Sequence, residues 1–294
     1  MAGFQRILFP VDFSPRAEAT VPFVKEMASR GGSSITLLHA LPLPVPWYPP
    51  EGGAPVLAYD VNELLDLGRE RLTGFRRRYF DDLPPGVTVA EFHDQGDAAT
   101  AILDYARGHE TDLIMMPTHG YGQFRRLLLG SVTAKVLHDA ACAVWTGAHT
   151  DDPQQHHLPV REILCAIDLG AATPAVIAKA QETALEHTAR LRLVHCVPGV
   201  ESGPGRFHHY ESEFQRHLIA DARRSIAELQ ETIHTALEVH LETGEVCKVV
   251  RTAALEHDAD LIVIGRGVLK ETFGRLRTNA YAIIRSAPCP VLSF

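Results

Sequence analysis

Between Pro117 and Val132 the sequence sets out Pro117-Thr118-His119-Gly120, nine residues from Tyr121 to Leu129, and then Gly130-Ser131-Val132 opening a helix through His138. A helix start exposes N–H groups at its positive end, a glycine lets backbone approach closely, and a serine hydroxyl adds a hydrogen bond to a phosphate oxygen. The chemistry this pattern suits is anion binding. A second candidate group is Asp12, which closes the apolar run Ile7-Leu8-Phe9-Pro10-Val11. A carboxylate there can cap the next turn or meet a ligand, and the residue alone leaves both open.

The elements that must position these groups occur twice. Arg6-Ile7-Leu8-Phe9-Pro10-Val11-Asp12 is echoed by Glu162-Ile163-Leu164-Cys165-Ala166-Ile167-Asp168, and 27 residues after each Asp stand His39 and His195, in Leu37-Leu38-His39-Ala40 and Leu193-Val194-His195-Cys196. Gly96-Asp97 pairs with Gly244-Glu245, and Asp112-Leu113-Ile114-Met115-Met116 with Asp260-Leu261-Ile262-Val263-Ile264. Ala141-Cys142-Ala143-Val144 likewise pairs with Pro288-Cys289-Pro290-Val291. Buried-strand runs alternate with helical stretches such as Glu18 to Ser29 and Ala98 to His109, which predicts parallel sheets covered by helices. The fold expected is α/β: two tandem, doubly wound, five-stranded parallel sheets of order 3-2-1-4-5, helices on both faces. In that order the first and fourth strands are neighbours at the switch point, so Asp12 and the glycine loop face one another. The expected domains are residues 1–147 and 160–294, joined by a linker at 148–159 rich in polar residues and proline.

At 294 residues with 46% hydrophobic side chains, the chain can fill two cores. A formal charge of -8 argues against nucleic acid or an anionic membrane as partner. No apolar leader or membrane-length run is evident, so the expected location is cytoplasmic. The five cysteines, scattered and without C-x-x-C pairs, read as small buried thiols with neither disulfide nor zinc. G-x-x-x-x-G-K-[ST], G-x-S-x-G, H-E-x-x-H and a complete G-x-G-x-x-G are all missing, so the expectation is a protein that is not an enzyme, slow or incidental hydrolysis of a bound phosphate compound apart.

Ile7 to Ser14, Leu37 to Ala40, and Leu127-Leu128-Leu129-Gly130-Ser131-Val132 together resemble the universal stress protein family, whose ATP-binding members carry G-x2-G-x9-G-[ST] after the fourth strand. The resemblance extends over nearly the whole chain, twice. It implies a stress-related regulatory protein binding an adenine nucleotide in its first half: ATP, with AMP or ADP as alternatives and magnesium as an optional companion. Asp12 and the backbone of Val11 and Ala40 would hold adenine and ribose, and Gly120, Gly130, Ser131 and Val132 the phosphates. With Pro10 and Met116 at the strand ends, these form the candidate nucleotide-binding set. Pro117 stands where the family has its first glycine and lacks an N–H. The alternative reading is a ligand-free interaction module with vestigial sites. The resemblance also points to an intramolecular pseudo-dimer through the final strands Ala143 to Thr146 and Pro290 to Ser293, with pairing of two chains as an open further step.

The second half departs more. Gly265-Arg266-Gly267 is one residue shorter than its counterpart, and Arg277-Thr278 replaces Gly130-Ser131. Arg277 either blocks a triphosphate or offers its charge, with Arg266 and Arg275, to another anion; the expectation is one nucleotide per chain. His39 and His195 read as hydrogen-bonded core histidines, and His209, Glu213 and His217 as a solvated helix face rather than a metal site. Arg69, Arg71, Arg76, Arg77 and Arg78, interspersed with acids, read as a solvated amphipathic face, and the proline-rich Pro42 to Pro55 with Trp47 and Tyr48 as a surface loop.

Overall fold

In a computed structural model, residues 3–42, 61–120, 129–147, 158–199, 208–267 and 278–294 are described. Trp47, Tyr48, most of the 148–159 linker, Arg275 and Arg277 lie outside them, as does the side chain of His209. The chain divides into two compact units, Met1–Val144 and Trp145–Phe294.

The first run of elements is β1 (Arg6–Pro10), α1 (Pro15–Gly31), β2 (Ser34–Leu41), α2 (Val61–Phe80), β3 (Thr88–Gln95), α3 (Ala98–Gly108), β4 (Leu113–Pro117), α4 (Ser131–Asp139) and β5 (Ala143–Gly147). Their strands lie in the order β3-β2-β1-β4-β5, with β1 parallel to β2 and β4, and β2 parallel to β3. The second run repeats it: β6 (Glu162–Ala166), α5 (Thr173–His187), β7 (Arg190–Pro198), α6 (His208–Thr232), β8 (Glu238–Gly244), α7 (Val246–Glu256), β9 (Leu261–Ile264), α8 (Thr278–Ser286) and β10 (Val291–Ser293). Its order is β8-β7-β6-β9-β10, the same 3-2-1-4-5 winding that the repeated pattern predicts.

The central strands are apolar throughout because helices cover both faces. Ile7, Leu8 and Phe9 of β1 are each at most 1% exposed, and all of β4 and β9 is buried. β3 and β8, at the ends of their sheets, carry half-exposed polar residues instead. Each first strand is held at its start by a carboxylate from far along the chain. Asp112 accepts the N–H groups of Gln5 (2.7 Å) and Arg6 (3.0 Å), and Asp260 those of Arg161 (2.8 Å) and Glu162 (3.0 Å).

The helices carry their own boundary signals. Ser14 caps α1 by accepting the Ala17 N–H, Pro15 occupies the first turn, and Gly32 at φ 63° ends it in the left-handed region glycine favours. Asp97 caps α3 through the Thr100 N–H, whereas Glu245 makes no such bond to α7. Three sequence expectations need correction. Only Cys165 and Cys289 are buried; Cys142, Cys196 and Cys247 are partly exposed. Arg71 does not simply face solvent: its guanidinium lies 4.3 Å from the centroid of the Phe13 ring, a cation–π contact. Arg266, read as a charge for an anion, is fully buried.

Candidate functional site

The crossovers from β1 to β2 and from β4 to β5 leave in opposite directions, so right-handed connections place the following helices on opposite faces and open a crevice at the carboxyl ends of β1 and β4. A cavity of about 440 Å³ lies there. Pro10, Val11, Asp12, Ala40, Met116, Gly120, Gly130, Ser131 and Val132 all line it, although they come from five separate stretches of chain. The sequence missed its remaining wall. Ala98 and Ile102, one turn apart on α3, line it with Leu38, Leu129 and Thr133, and His119 adds an imidazole. Ala98 to His109 reads as a helical stretch in sequence, but its alignment with this crevice depends on the sheet order.

At the β1 end, the Asp12 Oδ1 accepts the Ser14 N–H at 2.9 Å, a tight turn made possible by Phe13 in the left-handed region at φ 61°. Gly120 packs directly on this carboxylate: a Cβ built on Gly120 would collide with the Asp12 Oδ2. Glycine lets the loop after β4 come this close without displacing the carboxylate. The next contact is backbone. The Leu38 carbonyl accepts the Val11 N–H at 2.8 Å and so faces β1; two residues on, Ala40 presents its N–H and C=O in the same direction, past the end of β1.

At the opposite end, the Gly130 N–H donates to the Thr118 carbonyl at 2.9 Å and the Thr133 hydroxyl to the Pro117 carbonyl at 3.1 Å. These bonds fasten the start of α4 to the end of β4. Gly130 provides no side-chain cap, and Gly130, Ser131, Val132 and Thr133, at the positive end of α4, line the cavity. Pro117, buried and on the lining, adds no N–H. A charged pair joins the two helices: the Asp97 carboxylate at the head of α3 accepts from Thr100 and from the Lys135 ammonium of α4 at 3.2 Å, and these bonds pull its pKa down to about 2. His39, behind Ala40, is shifted down from its usual value by burial, helped by the Arg71 charge and opposed by its bond to the Val11 carbonyl and by Asp12.

The second unit has a cavity of about 560 Å³ at the matching strand ends, lined by Ile167, Asp168, Cys196, Ile264, Gly265 and Gly267 among others. Leu169 at φ 58° repeats the turn of Phe13. Asp168 is more fully engaged than Asp12, accepting from the Gly170 N–H at 2.9 Å and the Thr173 hydroxyl at 3.1 Å. Gly265 is required by packing, since a Cβ there would stand 2.9 Å from Val176 Cγ2. Arg266, between the two lining glycines, is fully buried and does not line the cavity. Among the described residues no group of three or more histidine, cysteine or acidic side chains is arranged for a metal ion, and no helix is long and apolar enough to cross a membrane.

Comparison with known proteins agrees with this architecture. The model of the universal stress protein family matches residues 3–146 and again residues 159–294. A universal stress protein of Thermus aquaticus is 33% identical over 145 residues, 48% of this chain and 96% of the relative. One of Mycolicibacterium smegmatis is 30% identical over 142 residues, which span 47% of this chain and only 44% of that longer relative. Over the whole chain, the structure of a universal stress protein from Archaeoglobus fulgidus superposes with a TM-score of 0.68 at 19% identity, covering 98% of this chain and 95% of the other, a likeness of fold. A functionally unknown protein of Pseudomonas aeruginosa gives 0.64 at 15% identity, covering 99% and 92%. The chain belongs to the universal stress protein family, with two such domains in tandem.

Proposed function

We propose that this is a stress-related regulatory protein whose first unit binds an adenine nucleotide, ATP or AMP, with little or no catalysis. The observation that carries the reading is the single cavity in which a strand-end carboxylate, an open backbone edge and a helix start converge. The Ala40 N–H and C=O suit a base edge that presents an acceptor beside a donor, as adenine does. Asp12 suits ribose hydroxyls, and the Gly130-Ser131-Val132 N–H groups suit phosphate, with magnesium as an optional companion. At about 440 Å³ the cavity falls within the range of small-molecule sites. The Val11 N–H is already bonded to Leu38, so Val11 contributes wall rather than a donor.

The test is thermal. ATP at a hundred times its Kd adds about 2.7 kcal/mol to stability, so the melting temperature rises, and Gly130→Arg with Ser131→Ala removes the rise. No shift in the unsubstituted protein at millimolar ATP rejects the reading. Phosphate release above that of a Ser131→Ala protein would instead reveal an ATPase. Pro117 favours a second reading, a ligand-free interaction module, because it stands at the cavity without an N–H to give. Mass spectrometry of small molecules released from freshly purified protein separates the two.

A further inference from the structure

The β1–β2 ladder stops at Pro10↔Leu38, and β6–β7 stops at the corresponding pair Ala166↔Val194. In each case one more half-step is made: the Val11 N–H reaches the Leu38 carbonyl at 2.8 Å, and the Ile167 N–H reaches Val194 at 3.0 Å. A continuing parallel ladder would next send the Ala40 N–H to the Val11 carbonyl, and the Cys196 N–H to Ile167. Both carbonyls are instead met by a histidine. Nδ1 of His39 lies 2.8 Å from the Val11 oxygen, and Nδ1 of His195 lies 2.9 Å from the Ile167 oxygen. A carbonyl only accepts, so in each ring Nδ1 carries the proton.

We infer that His39 is a positioning residue: by holding the Val11 carbonyl where the ladder ends it keeps the Ala40 N–H open to the cavity for a ligand's acceptor atom. His195 does the same for Cys196, which lines the second cavity. A leucine at either place would fill the space but free the carbonyl, and the adjacent N–H would close onto it. The strand would gain one ladder bond and the cavity would lose its donor. Phe13 braces the His39 ring at 4.6 Å between centroids, and burial keeps the imidazole below its usual pKa, which favours the neutral Nδ1–H form. The ligand half of the inference rests on the nucleotide reading; the ladder half does not.

The test is amide hydrogen exchange by NMR on the full, ligand-free chain, followed by ATP calorimetry. In the unsubstituted protein Ala40 exchanges at least about tenfold faster than Leu38, its ladder-bonded neighbour on the same edge. In His39→Leu, Ala40 slows by about tenfold and ATP binds about tenfold more weakly. His39→Asn, whose amide can donate to the same carbonyl, restores both. Equal protection of Ala40 and Leu38 in the unsubstituted chain overturns the inference without any variant. Unchanged Ala40 exchange in His39→Leu overturns it too, as does slowed exchange with undiminished ATP affinity. If the unsubstituted protein binds no ATP, the nucleotide reading fails while the exchange data still decide the role of His39. Should His39→Leu not fold, the same comparison is made at Cys196 in His195→Leu.

Discussion

Asp12 and Asp168 stand at matching ends of β1 and β6, yet they are held differently. Asp12 accepts one N–H, from Ser14, and has Gly120 packed on its second oxygen; Asp168 accepts both a backbone N–H and the Thr173 hydroxyl on the same oxygen. The arrangement at the strand end, a carbonyl held by a histidine, is common to both units. The two units differ at the helix-start end. One keeps Gly130-Ser131 at a helix start, and the other has Arg277-Thr278 in sequence. A duplicated fold can thus retain the part of a site that belongs to its ladder geometry while the part that depends on a loop diverges.

The sharpest way to break this comparison is stoichiometry. Calorimetry of the intact chain with ATP is expected to give one nucleotide per chain, and Gly130→Arg with Ser131→Ala to reduce that to none. Two equal sites would show that Arg277 serves a phosphate. Next in size is an exchange of consequences between the two aspartates. Asp12→Ala, which removes one hydrogen bond, should weaken ATP binding about tenfold and cost about 0.5–1.5 kcal/mol in urea unfolding, whereas Asp168→Ala, which removes two, should cost about twice as much and leave ATP binding unaltered. Equal effects on both properties would erase the distinction.

How far the site was legible follows from the same residues. The strands, the paired aspartates and the glycine loop could be read from spacing, because buried parallel strands are apolar runs and their repetition shows that both halves share one arrangement; the order 3-2-1-4-5, seen in both units, is what brings them together. All nine candidate residues meet in one cavity for that reason. The roles of His39 and His195 went no further than hydrogen-bonded histidines, since nothing in a Leu-Leu-His pattern shows which carbonyl the ring reaches. Ala98 and Ile102 were unreadable as cavity wall because a helical stripe does not declare which strand end it covers. The burial of Arg266 was not legible because a charge in sequence suggests a side chain in solvent and says nothing of what covers it.

A smaller effect is pH. His39 has a depressed pKa in the folded chain, so between that value and the unfolded 6.5 the unfolded chain binds more protons. Stability is therefore fully present above about pH 6.5 and declines as the pH falls through the folded value. Urea unfolding of His39→Asn across pH 5 to 7 should show a flatter dependence; an unchanged slope would remove His39 as its source. The smallest comparison concerns caps. Asp97→Ala should lower the melting temperature more than Glu245→Ala, because only Asp97 caps its helix. The difference should vanish as the pH drops from 3.8 through about 2, where the Asp97 carboxylate takes up its proton; a gap that persisted there would point to packing rather than charge.

The carboxylates that hold the starts of β1 and β6 also bear on the order of events during synthesis. Gln5 lies 107 residues before Asp112, and Arg161 lies 99 before Asp260. β1 can pair with β2 once a short crossover has emerged from the ribosome, but its other edge waits until about a hundred further residues exist, and loop closure over that span is slow. The crevice between β1 and β4 is consequently a late product in each unit. A nascent chain halted before Asp112 would have a strand edge and no cavity, and pulsed amide labelling of stalled chains should find β1–β2 protected before β1–β4.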